Sequence, residues 1–493
     1  MIRSGLFISF VLVSGAAVAS DLAPIHRAPL TEPLEKYDDA PVYIFRMETG
    51  PRMISRYGPF TSYQVNVDGQ GQNILGDAAN EPSISVDPTN GSKMAIGWRQ
   101  FNSIQSNFRQ AGYGYTTDGG VSWTFPGVLE NNVFRSDPVL NFDETGNFFY
   151  LSLQSDQSQS FFCDDVWRSI SGGASWTRQG PAHGGDKEWF TVDKTNGTGH
   201  GFQYQFWTGF FNCDGGEFSR STDGGVTWMT PINIPNSPQW GTLDVDTNGN
   251  LFIGGTGGGS QFLCIRSTNA QNGSVTPTFD QVTQVSLGGS LVQGGINGVG
   301  LCGQAFLVVD RSGTATNNNI YLLGSVMPTG SNTGTDVMFA RSTNGGQTFS
   351  SPKRINDDPI NHNKWHWLGT LAVAPNGRID SVWLDTRNAA NNTDSQLAYS
   401  YSTDGGDTWA PNVAVSNSFD PHLGYPNQNK MGDYITVVSD NTGGDVAYAA
   451  TFNQEQDVYY VRVVPGIAPT PTPSPPTTSP PTMSPSPSRT SRR

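Results

Sequence analysis

The chain has 493 residues, only 14% of them charged, a net charge of −14, and 58 glycines, 12 tryptophans and 27 phenylalanines. Its length supports a large core. Its acidity excludes a surface that neutralises phosphates, so nucleic acid is not an expected partner, and no apolar run reaches the roughly 18 residues of a membrane span.

Residues 1–19 read as an export signal: Arg3 supplies the positive start, residues 6–13 a short apolar run, and Ala17-Val18-Ala19 a small-residue cleavage site. The mature chain is then expected to start at Ser20, secreted or extracellular, with periplasmic or wall-associated placement left open. Residues 20–74 form an N-terminal segment. Within it Tyr63-Gln64-Val65-Asn66-Val67 is strand-like and is expected to complete the last repeat of a closed ring.

From 75 to 465 short β-branched and aromatic runs alternate with Gly, Asn and Asp clusters, the pattern of an all-β chain. Seven strand–turn–strand units follow one another, with turns at 87–91, 143–147, 193–197, 246–249, 310–313, 374–377 and 439–444. At roughly 56 residues each they fit four-stranded propeller blades. Seven blades are preferred; six result if one unit is an insertion.

An eight-residue hairpin recurs five times. It reads Thr116-Thr117-Asp118-Gly119-Gly120-Val121-Ser122-Trp123 and returns from Ser169, Ser221, Ser342 and Ser402, with a worn copy at Ser267-Thr268-Asn269. Its Asp or Asn folds back on backbone amides, its glycines accept positive φ and its aromatic residue packs between sheets. Residues 466–493 are Pro/Thr/Ser-rich and are expected to stay extended and disordered. Sequons begin at Asn90, Asn196, Asn272 and Asn391.

Cys163 and Cys213 stand in neighbouring repeats before a hairpin and are expected to pair, as are Cys264 and Cys302. No spacing supports a metal site: CxxC and HExxH are lacking, and the loop from Asp244 has Gly255 where a calcium loop needs Glu. No cofactor is expected, and the protein is taken as a monomer.

Candidate chemistry emerges at one register, six residues before each turn. It holds Glu81, Asp137, Lys187, Trp240, Gln304 and Asp433, with Leu368 breaking the series just after His366 and Trp367. Arg135, Glu188 and Trp189 adjoin it. Aromatic faces and carboxylates grip sugars, and glycoside hydrolysis uses two carboxyl groups across the bond. Glu81, Asp137, Glu188 and Asp433 are the candidate catalytic carboxyls. Arg135, Lys187, Trp189, Trp240, Gln304, His366 and Trp367 are candidates for binding substrate.

The recurrent hairpin resembles the Asp-box, or BNR repeat, of the sialidase superfamily, over about residues 75–465. That resemblance implies a propeller acting on glycans, with the boxes bracing the blades away from any active site. Sialidases open their first blade with Arg-Ile-Pro; here the stretch is Asn80-Glu81-Pro82-Ser83, with Asn80 at the arginine position. The expected function is glycoside hydrolysis with no sialic acid specificity implied. The alternatives are a non-catalytic propeller binding glycans or proteins, and a polysaccharide lyase.

Overall fold

A computed structural model describes residues 22–26, 35–41, 48–155, 162–209, 211–257 and 260–466. Residues 1–19, expected to be an export signal, and the Pro/Thr/Ser stretch beyond Gly466 lie outside them. Seven antiparallel sheets stand around one axis, so the fold is a seven-bladed β-propeller and six blades are excluded. No helix long and apolar enough to cross a membrane occurs among the described residues.

The innermost strands of the blades, in chain order, are Ala78–Val86, Arg135–Phe142, Trp189–Val192, Leu243–Val245, Phe306–Val309, His366–Val373 and Thr436–Ser439. The third blade has three full strands, its fourth reduced to a bridge between Phe218 and Ile232. Blade 7 borrows its outer strands from the N-terminal side. Phe60–Gln64 pairs with Asp457–Val463 in the register Tyr63 to Tyr460 and Gln64 to Tyr459, and Val65 N–H donates to Val458 O at 2.9 Å. First and last strands share one sheet, which closes the ring and removes an open edge.

The recurrent hairpins join the third and fourth strands of blades 1 to 6. In blade 3, Asp223 accepts from Ser221 Oγ (2.8 Å), Thr227 N (2.9 Å) and Thr227 Oγ1 (2.7 Å), while Gly225 N donates to Ser221 Oγ (2.9 Å). The worn copy keeps the Ser267 Oγ to Asn269 bond at 3.1 Å. Each hairpin leans on the preceding blade. Trp123 packs on Tyr460 of blade 7, centroids 5.6 Å apart, and Trp409 of blade 6 on Phe339 of blade 5 at 5.3 Å. Gly120 has φ +86° and lies flat against Tyr460; a Cβ there would come within 2.1 Å of the ring. Gly120→Ala combines backbone strain with overpacking. It is expected to cost at least about 2 kcal/mol in urea unfolding, more than an alanine at the neighbouring Gly119, which meets nothing within 4 Å.

The Cys163–Cys213 disulfide joins blades 2 and 3. The expected Cys264–Cys302 pair is not formed: both thiols are free and buried. Cys264 lies in the core between blades 4 and 5, against the hairpin glycine Gly346. Cys302 belongs to another core cluster, its Sγ directed at Gly294 O (3.3 Å) near the funnel mouth. Shared parity in the sequence did not bring them together.

Candidate functional site

The register six residues before the turns is a structural repeat. Glu81, Asp137, Lys187, Trp240 and Leu368 all adopt left-handed backbone, with φ of 56°, 45°, 59°, 50° and 52°. Gln304 and Asp433 follow glycines of the same kind, Gly303 (φ 129°) and Gly432 (φ 96°). In blades 1, 2 and 6 the pairing register slips at this point, between Asn80 and Ser83, Ser136 and Val139, and Trp367 and Thr370. In these three blades the innermost strand therefore carries a bulge at this position. Non-glycine residues in this region cost of order 1–3 kcal/mol each, strain that persists where surroundings over-determine it. Leu368, which breaks the chemical series, keeps the geometry.

The ring is chemically two-sided. Blades 4 to 6 contribute Trp240, Gln304 and Leu368, all buried, the first and last in apolar clusters. Blades 7, 1, 2 and 3 contribute Asp433, Glu81, Asp137 and Lys187, all buried too. Lys187 is the hub. Its Nζ stands 2.7 Å from Asp433, 2.9 Å from Asp137, 3.7 Å from Glu81 and 3.8 Å from Asp186. Its own N–H also faces Asp137, at 3.2 Å.

Four further members gave no signal in the sequence reading. Arg99 pairs with Asn80 across the blade-1 ladder; its Nε donates to Asn80 Oδ1 (2.8 Å) and stands 2.9 Å from the Glu81 carboxylate as an ion pair. Arg109 opens the third strand of the same blade and bonds Ser136 Oγ (3.1 Å). Lys430 bonds Asp433 at 2.6 Å. The fourth is Glu35, from the segment before the propeller. Its carboxylate is fully buried and accepts from Lys430 Nζ (2.8 Å), Lys187 Nζ (3.0 Å), Ser136 Oγ (2.7 Å) and Arg109 Nη2, with Arg99 at 3.5 Å. The oxygens of Glu35, Glu81 and Asp433 lie within 4.8 Å of one another, as do those of Glu35, Asp137 and Asp186. Lys187 Nζ reaches all five carboxylates, so an ammonium already holds the position a metal cation would take.

These surroundings divide the carboxyls. Burial pushes Glu81 above the usual range, and Arg99, Lys187 and Lys430 only partly offset it. Burial acts on Asp433 too, but Lys187, Lys430 and Arg99 outweigh it and hold Asp433 well below that range. Asp137 is held low in the same way by Lys187 and Lys430. Glu188 is raised well above by burial and by Asp164 and Asp137, and neither of its oxygens has a hydrogen-bond partner. Burial and neighbouring Arg99 bring Lys430 down to about 8.

Other candidates lie apart from the ring. Arg135 points into blade 2, paired with Asp165 (2.5 Å) and Glu130 (2.6 Å) and stacked over Trp167. Trp367 is core between blades 6 and 7. Trp189 meets Phe306 and Tyr434 edge-on, centroids 5.4 and 5.1 Å away, and the three rings close the axis beneath the charged ring.

His366 is buried, with Nε2 3.0 Å from Asp358 and Nδ1 2.6 Å from Thr335 O. Asp336 and Asp385 stand 3.7 Å away, and Arg387 lies 3.7 Å from Asp358. Burial lowers its affinity for a proton, but Asp385 and Asp358 outweigh burial and raise its pKa above 6.5. Protonation then favours the folded state. That stabilisation is complete below about pH 6.5 and fades as pH climbs through the higher folded value. His366→Gln is expected to cost about 2 kcal/mol at pH 5.5 and less at pH 9, by denaturant unfolding at both.

Above the ring lies a cavity of about 590 Å³, lined among others by Tyr37, Asn107, Gln293, Asn427, Gln428 and Asn429. Gln428 links it to the ring, since its Oε1 accepts from Arg99 Nη1 at 2.7 Å. Two loops knit the rim: Val299 N donates to Asn429 O (3.0 Å), Asn297 Nδ2 to Gly432 O (2.7 Å) and Leu301 N to Asp433 (2.7 Å). A second cavity, about 210 Å³, opens below the aromatic closure and is lined by Thr191, Thr242, Thr370, Thr436, Lys194 and Arg311 among others.

No family model and no curated protein matches the sequence. Solved structures do. A protein of unknown function from Dyadobacter fermentans is 13% identical, covering 82% of this chain and 98% of its own, with a TM-score of 0.47. The Penicillium chrysogenum α-L-arabinanase complexed with arabinobiose is 11% identical over 85% of this chain and 98% of its own, TM-score 0.43. Trypanosoma rangeli sialidase in complex with the inhibitor DANA is 12% identical over 84% of this chain and 60% of its own, TM-score 0.40.

Proposed function

We propose that the protein acts on glycans at the funnel mouth and hydrolyses a glycosidic bond between Glu81 and Asp433. The observation that carries this reading is the pairing of two carboxyls, oxygens within 4.8 Å, whose surroundings drive their proton affinities apart. Such a split assigns the roles of acid and base. The amide-rich, tyrosine-bearing cavity above them suits sugar hydroxyls, which both donate and accept.

Glu81, whose proton affinity burial raises, gives a proton to the leaving glycosidic oxygen as that bond breaks. Asp433, kept ionised, attacks the anomeric carbon from the opposite face. Water then displaces the carboxylate, giving its proton back to Glu81. The short spacing fits the retaining course, in which the carboxyl groups stand about 5–5.5 Å apart.

A second reading, a propeller that binds glycans without cleaving them, is favoured by one feature. All four candidate carboxyls are buried, three of them (Glu81, Asp137 and Asp433) against Glu35, with the axis closed below by Trp189, Phe306 and Tyr434. A panel of neutral, uronic-acid and sialylated oligosaccharides, with product detection and calorimetry on the same samples, separates the two. Cleavage of any member supports hydrolysis, binding without cleavage supports the second reading, and neither outcome for any member rejects both.

A further inference from the structure

Glu35 is foreign to the propeller. Residues 35–41 stand at the funnel mouth and belong to no blade. Upstream, Ala23–His26 forms a two-stranded ribbon with Gln293–Gly295 of the rim. Downstream, Asp38 accepts from Asn107 N (2.9 Å) and Ser106 Oγ (3.1 Å), and Tyr37 packs against Phe134, centroids 5.1 Å apart. Lys36 and Asp39 are solvent-exposed. Among the described residues of this segment, Glu35 alone is fully buried.

A carboxylate loses several kcal/mol of solvation on burial unless charges and hydrogen bonds replace its water. Around Glu35 the replacement is complete, with Arg109, Lys187, Lys430 and Ser136 in contact and Arg99 beyond. All five belong to the propeller. The cations come from blades 1 and 3 and one rim loop, with the Ser136 hydroxyl added by blade 2, so the propeller alone builds a pocket for one carboxylate. The wall beside it is the Glu81–Asp433 pair. The roof is the 590 Å³ cavity, to which the segment's own Lys36, Tyr37 and Asp38 contribute lining.

We infer that the N-terminal segment is an internal ligand of the funnel: Glu35 holds the place of a carboxylate borne by the substrate, and the segment must leave before that substrate enters. The substrate class is then an acidic glycan, a uronic-acid oligosaccharide whose carboxylate sits among Arg99, Arg109, Lys187 and Lys430 while neighbouring sugars occupy the amide-lined cavity. Only the glycan identity rests on the function proposed above; the carboxylate pocket stands on its own contacts. The segment competes with substrate at an effective concentration set by its tether, so removing its carboxylate raises apparent affinity without any new contact.

The test uses full-length Glu35→Ala beside the wild type, titrated calorimetrically with sodium acetate, trigalacturonate and neutral maltotriose. Glu35→Ala is expected to take up acetate where the wild type does not, and to bind trigalacturonate at least about tenfold more tightly than the wild type, with maltotriose unchanged. A folded Glu35→Ala with no gain for either acid overturns the inference. If Glu35→Ala does not fold in plain buffer, thermal melting with and without acetate decides: a midpoint restored by acetate supports a carboxylate pocket, and one unmoved by acetate overturns it. Acetate uptake without trigalacturonate uptake keeps the pocket and the internal ligand and rejects the glycan reading.

Discussion

Replacing Lys187 with methionine is expected to destabilise the protein by about 3–5 kcal/mol, the cost of stripping one partner from buried ion pairs. Five carboxylates, Glu35, Glu81, Asp137, Asp186 and Asp433, converge on its ammonium. Methionine fills much of the volume and leaves that part of their charge uncompensated which Arg99, Arg109 and Lys430 do not meet. Arginine is no substitute, because a planar fork cannot reach five carboxylates spread around a point. Denaturant unfolding at neutral pH measures the loss. The wild type should also show an alkaline limit. Burial disfavours the charge on Lys187, but Asp137, Asp433 and Glu81 outweigh it and hold the pKa well above 10.5. The stabilisation is therefore fully present below about pH 10.5 and is lost as pH rises through the folded value. A wild type no more stable than Lys187→Met would contradict the hub.

The second large effect concerns turnover. Glu81→Gln cannot give a proton, and general acid catalysis accounts for about 10²- to 10⁴-fold in rate. A loss of that order in kcat is expected on whichever oligosaccharide the wild type cleaves, with KM little changed. Asp433→Asn is expected to lose at least as much. The wild-type profile should be bell-shaped: its acid limb lies below the ordinary carboxylate range, where Asp433 gains a proton, and its basic limb above that range, where Glu81 loses one. In Glu81→Gln the basic limb should vanish. Near-ultraviolet circular dichroism on each variant separates lost chemistry from lost fold.

The reach of the sequence follows from how each feature is encoded. The blades were legible because turn and hairpin repeat at short range, and the charged register because a left-handed backbone step recurs at or just before a fixed distance from each turn. Glu81, Asp137, Lys187 and Asp433 were found that way, in the chain's own periodicity. The closing strand was legible because Tyr63-Gln64-Val65 alternates like a blade strand. Arg99 and Arg109 were missed because they approach the mouth from second and third strands, where no register was followed; counting outward from the 87–91 turn along Met94–Phe101 would have reached Arg99. Lys430 lies on a rim loop outside the repeat.

Glu35 had no local signal at all. Its role comes from a contact with Lys430, 395 residues away. His366 and Arg135 were misleading for the converse reason. A charged residue beside the register can turn sideways into a blade, as both do, and spacing alone cannot tell axis from flank. The unformed Cys264–Cys302 pair shows the same limit, since an even count carries no geometry.

A retaining hydrolytic site between Glu81 and Asp433 fixes the configuration of the first sugar released. Full-length wild type and Glu35→Ala would be incubated with trigalacturonate and the panel oligosaccharides, the anomeric proton being followed by NMR before mutarotation. The product is expected to keep the substrate's anomeric configuration and to form faster with Glu35→Ala. An inverted product, an unsaturated sugar from elimination, or no product from either protein would contradict a retaining site.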